Sequence, residues 1–305
     1  MSHKDIVVVG ASAGGVAPLQ TLVRQFKADT PAAVFVVLHL PPSHTSYLPA
    51  VLGAHCELSV KHAVDGEKIQ HGHVYIAPPD RHLVIESGHI HLSAAPRENR
   101  ARPAINPLFR SAALTYGPRV IGVILSGMLD DGTAGLWEIK RQGGVAVVQE
   151  PDDAQFNQMP KSALANVPVD YKVPIKDIGA LLVTLIGQPS LSLKGGVEAQ
   201  MGEPTRLTCP DCHGPIERFR LGPITEYKCR VGHAYGPESM LAAHDDAEER
   251  ALWSAIESLE EGADLADEIL TAHRDLNGNG YRADATTKRK LAKSIRSAIE
   301  ASKLG

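Results

Sequence analysis

The sequence predicts an α/β fold: a doubly wound, mostly parallel sheet with a small hairpin excursion, then a small cysteine-bearing module and C-terminal helices. Three observations carry this. From Asp5 to about Gly187, short β-branched runs alternate with helix-like stretches, the pattern of parallel strands joined by crossovers. Cys209, Cys212 and Cys229 crowd into one short stretch beyond that region. Leu252, Ile256, Leu259, Ala263, Ala266 and Leu270 then recur at steps of three and four, which gives one apolar face to an otherwise acidic helix.

Taken in order, Ile6–Val9, Val34–Leu38, Val74–Ala77, Val120–Leu125 and Val145–Val148 read as strands. Val16–Phe26, Ile105–Tyr116, Ala134–Gln142 and Ile175–Ile186 read as helices. Leu83–Glu86 and His89–Leu92 flank Ser87-Gly88, the two-residue glycine turn of a hairpin. Pro189, Gly195, Gly196, Gly202 and Pro204 have linker composition, and the expected organisation follows from them. It is a catalytic domain over 1–190, a linker over 191–205, a cysteine module over 206–236 and a helical segment over 237–305. Asn277-Gly278-Asn279-Gly280 should break the acidic helix, with a second, basic helix over Thr287–Lys303.

The 305 residues carry 31 basic and 35 acidic side chains, a net charge of −4, so no overall basic excess advertises nucleic-acid binding. The longest apolar runs, Ile6–Val9 and Ala32–Leu40, are short of the roughly 20 residues a membrane-spanning helix needs. With no secretion signal at Met1–Asp5, the expected address is cytoplasmic.

Gly10-Ala11-Ser12-Ala13-Gly14 follows the first strand and precedes a helix, which allows two chemistries. An anion could sit on the turn's N–H groups, but neither G-x-G-x-x-G nor a lysine-bearing phosphate loop is present. The alternative is a G-x-S-x-G turn exposing Ser12 as a nucleophile, although a serine there also serves commonly as a helix cap. His39 ends the second strand, at the sheet edge where open α/β folds carry their sites, and is the candidate base. Asp130 or Asp131, after the Val120–Leu125 strand, would supply the orienting carboxylate or cap a helix, and spacing does not separate them.

These residues resemble the catalytic domain of the chemotaxis protein-glutamate methylesterases, the CheB-type family, over about residues 5 to 187. The carriers are Val9–Gly15, His39-Leu40-Pro41, Gly72–Pro78, Arg102-Pro103 with Phe109, Gly127–Gly132 and Gln158-Met159-Pro160. The resemblance implies a triad of Ser12, His39 and Asp131, with backbone N–H groups of Ala13, Gly14 and Met128 around the oxyanion. It also implies hydrolysis of glutamyl methyl esters on methyl-accepting chemoreceptors, with receptor glutamine deamidation as a second reaction, and no catalytic cofactor. The chain departs from the family in having Ala13 where threonine is frequent and in the extra carboxylate of Asp130. Because its first strand starts near residue 6, a stand-alone form without a receiver domain is expected. A non-catalytic signalling adaptor and a nucleotide-binding domain are the rival readings, the first disfavoured by the intact triad and the second by the missing phosphate loop.

Cys209-x2-Cys212, sixteen residues, then Cys229-x3-His233 is a zinc-ribbon-like spacing, and three thiolates with one imidazole suit structural zinc. His213 is a rival ligand, but it adjoins Cys212, where joint ligation is strained. The Leu252, Ile256, Leu259 stripe is expected to face core or a partner helix, and self-association through it is one outcome.

Overall fold

The computed structural model describes residues 2–41, 45–190, 201–272 and 279–302. Its chain divides into two compact units, Met1–Met240 and Leu241–Gly305.

In the first unit, a seven-stranded sheet runs in the order β3 (Ser59–His62), β4 (His73–Ile76), β2 (Ala33–Leu38), β1 (Ile6–Ala11), β7 (Val120–Ile124), β8 (Val145–Gln149), β9 (Tyr171–Val173). Every pairing in it is parallel. A parallel sheet covered on both faces needs strands apolar at every position, and β1 and β2 are buried throughout. Successive side chains alternate: Ile6 and Val8 join Phe35, Leu108, Phe109 and Leu136 on one face, while Val7 and Val9 join Leu19, Leu22, Phe26 and Leu182 on the other. Each such buried aliphatic side chain is worth roughly 1.5–3 kcal/mol of transfer free energy, so the centre of the sheet is its most stable part.

Helices α3 (Ile105–Tyr116), α4 (Thr133–Arg141) and α5 (Gln158–Asn166) cover the first face. The second is covered by α1 (Val16–Val23), α2 (Leu48–Gly53) and α6 (Ile175–Leu185). The hairpin strands β5 (His82–Glu86) and β6 (His89–Ser93) form a separate antiparallel pair. All five expected strands and four expected helices are present with ends shifted by at most three residues. Elements without a strong periodic signal, namely α2, β3, α5 and β9, were not expected; β3 and β9 are edge strands of four and three residues.

Strand order places β1 centrally, with the chain passing to β2, then to the edge strand β3, back to β4 between them, and restarting on the other side with β7. The loops after β1 and β7 therefore part at a topological switch point, where open α/β sheets form crevices.

Residue 190, where the expected division falls, lies inside the first compact unit. Residues 191–200 of the expected linker lie outside the described residues, but its end is already strand β10 (Glu203–Thr208). With β11 (Pro215–Leu221), β12 (Ile224–Cys229) and β13 (Ala234–Tyr235) it makes a four-stranded antiparallel sheet inside the first unit. The reason is contact that composition does not reveal. Arg110 on α3 reaches Glu226 on β12 at 3.0 Å, and a Cβ at Gly222, in the β11–β12 turn, would lie 2.7 Å from the Trp137 ring on α4.

Helix α7 (Pro237–Ala272) begins in the first unit and continues in the second, which also holds α8 (Asn279–Ser302). Residues 277–278 of the expected break lie outside the described residues, and α8 starts earlier than the expected second helix. Within the second unit, Leu252, Ile256 and Leu259 pack against Ala292, Ile295 and Ile299 of α8. The stripe offered as a self-association face is thus covered by the chain's own helix, as an apolar stripe on an acidic helix requires.

Candidate active site

Backbone hydrogen bonds continue the sheet ladder past the strand ends and fasten three loops together. Leu125 N–H donates to Gly10 O at 2.9 Å, Ser12 N–H to Ser126 O at 2.9 Å and His39 N–H to Ala11 O at 3.2 Å. Ser12 and His39 are consequently held at adjacent carboxyl ends, both partly exposed. Ser126 braces the Ser12 turn from beneath: its hydroxyl donates to Ala13 O at 2.8 Å and accepts from Phe156 N–H at 3.0 Å. A Cβ at Gly127 would meet Met159 Sδ at 2.1 Å and Ser12 Cβ at 2.9 Å, so only glycine lets this loop approach the serine. The Gln158-Met159-Pro160 block gains a role here, since Gln158 Oε1 also accepts from Leu129 N–H at 2.9 Å.

Asp131 is 2% exposed and its carboxylate receives five donors. Oδ2 accepts from His39 Nε2 at 2.7 Å and Ile105 N–H at 2.7 Å. Oδ1 accepts from Asn99 Nδ2 at 2.8 Å, Gly132 N–H at 2.9 Å and Asn106 N–H at 3.2 Å. Ile105 and Asn106 open α3, so the anion also sits at that helix's positive end. Burial alone would raise this carboxyl, but the His39 hydrogen bond and charge, the Ile105 N–H and the Asn99 amide together hold it below the ordinary carboxylate range.

Asp130 points elsewhere. It accepts from Glu238 N–H at 3.0 Å and Ser239 N–H at 3.3 Å, and from the Ser239 hydroxyl, and so caps the start of α7. Burial, with the Asp131 charge adding to it, lifts its carboxyl above the usual range against those hydrogen bonds. The start of the nearer helix α4 is held by Asn106 Oδ1, which accepts from Gly132 and Gly135 N–H at 3.1 and 2.8 Å and shares the Gly132 N–H with Asp131.

With Nε2 turned to Asp131, Nδ1 of His39 is the nitrogen left for Ser12. Among the described residues the Ser12 hydroxyl has no hydrogen-bond partner, a looseness common where substrate tightens the contact. The N–H groups of Ala13, Gly14 and Met128 likewise meet no acceptor among the described residues, which leaves them open to an oxygen of a bound ligand. Asn99, Asn106 and Ser126 escaped sequence reasoning; each is a polar residue in a loop or helix start, and only the three-dimensional hydrogen-bond accounting singles them out.

The sulfur atoms of Cys209, Cys212 and Cys229 and a ring nitrogen of His233 all lie within 4.8 Å of one another. Cys212 Sγ is 3.6 Å from Cys229 Sγ, which is 3.5 Å from His233 Nδ1. His213 stands outside this group, exposed and with φ of 58°.

Residues 7–182 match the family described as CheB methylesterase. A protein-glutamate methylesterase/protein-glutamine glutaminase 2 of Methanosarcina mazei is 36% identical over 193 residues, covering 61% of this chain and 53% of that protein. A protein-glutamate methylesterase/protein-glutamine glutaminase 1 of Burkholderia pseudomallei is 39% identical over 182 residues, covering 58% of this chain and 50% of that protein. The chain thus spans about half the length of these relatives, whereas a putative protein-glutamate methylesterase/protein-glutamine glutaminase of Leptospira interrogans, 36% identical, is matched over 94% of its length. The crystal structure of the Thermotoga maritima CheB methylesterase catalytic domain is similar with a TM-score of 0.58 at 36% identity, covering 61% of this chain and all of that one.

Replacing Asp131 with Asn turns an amide donor toward donors. Turnover of a small ester should fall roughly 10⁴-fold, the scale seen when a triad carboxylate becomes an amide. Asp130→Asn should cost far less, as steady-state kinetics of both variants will show. Since the Asp131 pKa is lowered on folding, its stabilisation is complete above its unfolded value near 3.9 and is lost as pH falls through the lower native value. Denaturant titrations across the acid range should therefore show a shallower acid loss of stability in Asp131→Asn.

Proposed function

Taking as premise that this chain belongs to the CheB methylesterase family, we propose that it is a serine hydrolase cleaving glutamyl methyl esters on methylated chemoreceptors, with glutamine deamidation by the same route. The observation that carries this reading is the contact of partly exposed His39 with the buried Asp131 carboxylate at 2.7 Å, beside the Ser12 turn. His39 Nδ1 takes the Ser12 proton as Oγ attacks the side-chain carbonyl. The developing oxyanion faces the N–H groups of Ala13, Gly14 and Met128, and α1 behind the turn adds its positive end. His39 then protonates departing methanol, or ammonia from a glutamine, and afterwards activates the water that releases the acid. Asp131 keeps the ring oriented and stabilises its charged form. No helix among the described residues is long and apolar enough to cross a membrane, and the reading assigns a cytoplasmic address facing receptor tails.

The cysteine cluster fits structural zinc. Zinc–sulfur bonds of about 2.3 Å in a tetrahedron bring ligand atoms to nearly the separations found here. Burial raises the Cys229 thiol, yet hydrogen bonds from His233, Gly232 and Cys212 bring it to about 7, toward the thiolate that a metal needs. Four ligands close the shell, so the ion would hold the sheet of 203–235 together and touch no reacting atom of the ester.

Incubation with methylated receptor should release methanol, and Ser12→Ala should lose nearly all of that release with unchanged circular dichroism. Comparable release by the variant would refute the mechanism. Elemental analysis of purified protein should give about one zinc per chain, and Cys212→Ala should lose it.

A further inference from the structure

The five donors on Asp131 include one side chain that the chemistry above does not use, that of Asn99. It is 6% exposed, with φ of 47°, a left-handed backbone that asparagine tolerates better than most residues. Its Nδ2 donates to Asp131 Oδ1 at 2.8 Å, and its Oδ1 accepts from Gly236 N–H at 2.7 Å. The amide orientation is fixed by this pair, because a backbone N–H needs an acceptor and a carboxylate needs a donor. Asn99 N–H in turn donates to Ala234 O at 2.7 Å.

Both anchors of Asn99 belong to the cysteine module. Ala234 directly follows His233, whose carbonyl accepts from Cys229 N–H at 3.0 Å. Gly236 lies so near Asp130 that a Cβ there would be 2.2 Å from its Oδ2. The residue before Asn99 is fastened as well: Glu98 bridges to Ala234 and binds Arg110, which also holds Glu226 of β12. An unbroken line of backbone and hydrogen bonds thus runs from the cysteine cluster through Ala234 and Asn99 to Asp131 and His39.

We propose that Asn99 is a positioning residue for Asp131, and that the cysteine module, by holding Asn99 at Ala234 and Gly236, couples order in the Cys209, Cys212, Cys229, His233 cluster to ester hydrolysis. This rests on the functional reading above. Ordered, the module presents Gly236 N–H to Asn99 Oδ1 and so aims the amide at Asp131. Disordered, it releases that anchor, the amide turns away, and the buried carboxylate loses a donor. Asp131 then becomes more basic, and the His39 ring loses part of the fixed partner that orients it. The charged groups facing Asp131 are His39 from the β2 end, its neighbour Asp130, Arg110 from α3 and Glu226 from β12, and none of them is altered by substituting Asn99.

The test uses the full chain with two readouts, a carbon-13 NMR titration of the Asp131 carboxyl and the kcat and KM of a small ester. Asn99→Gly removes the amide while keeping a residue suited to positive φ. It should raise the Asp131 midpoint and lower kcat roughly ten- to hundredfold, with KM steady, as expected for loss of one hydrogen bond to a charged group. Asn99→Asp, which puts a like charge against Asp131, should raise the midpoint further. Treating the wild type with a zinc chelator, or substituting Cys212→Ala, should reproduce the shift, and chelation of Asn99→Gly should add nothing, since both act through one contact. An unmoved Asp131 midpoint in Asn99→Gly would overturn the positioning role. A midpoint unmoved by both chelation and Cys212→Ala would overturn the coupling. Absence of ester turnover in the wild type would contradict the functional reading instead, and the titration would still decide this one.

Discussion

A buried carboxylate has to be surrounded by donors, and in this protein the surroundings of Asp131 dictate the arrangement of everything near it. An ion taken out of water without compensation costs many kcal/mol, so the side chain is tolerable only because five N–H groups converge on it. Those donors come from the β2 end, the loop at Asn99, the first turn of α3 and the turn into α4. Satisfying one charge therefore fixes four separate segments, and the imidazole of His39 inherits their rigidity. Asp130, one residue away, shows how finely such demands are divided. Its partners all lie at the start of α7, and the two adjacent carboxyls are pushed in opposite directions, one below and one above the ordinary range.

Much of this is legible in the chain alone. The central strands announce themselves because a sheet covered on both faces demands uninterrupted apolar runs, and the four long helices because their apolar positions recur at helical spacing. Ser12, His39 and Asp131 are reachable through glycine-framed turns and strand ends. Spacing does not choose between Asp130 and Asp131, since both are aspartates before the same helix and only their partners differ. Short β3 and β9 leave too few residues for a period to show.

The docking of the cysteine module escapes composition for a related reason. Glycine and proline around 187–205 suggest a tether, and composition is blind to where a tethered segment docks. The cysteine module is fastened by Arg110–Glu226, by Trp137 against Gly222, by Asn99 and by Asp130, contacts between residues about a hundred positions apart. None leaves a periodic trace. Similarly, the acidic helix shows its apolar stripe plainly, while the identity of its cover, the chain's own α8, depends on a second helix whose packing face is visible only when the two lie together.

In the proposed mechanism, the charge held on Asp131 makes His39 a base for Ser12. A fluorophosphonate, which reacts covalently with base-activated serines, reads this without requiring the natural receptor. Mass spectrometry of the labelled protein should place the adduct on Ser12, with labelling nearly abolished in folded Asp131→Asn. An adduct on another residue, or labelling of Ser12 at an equal rate in both proteins, would contradict the account.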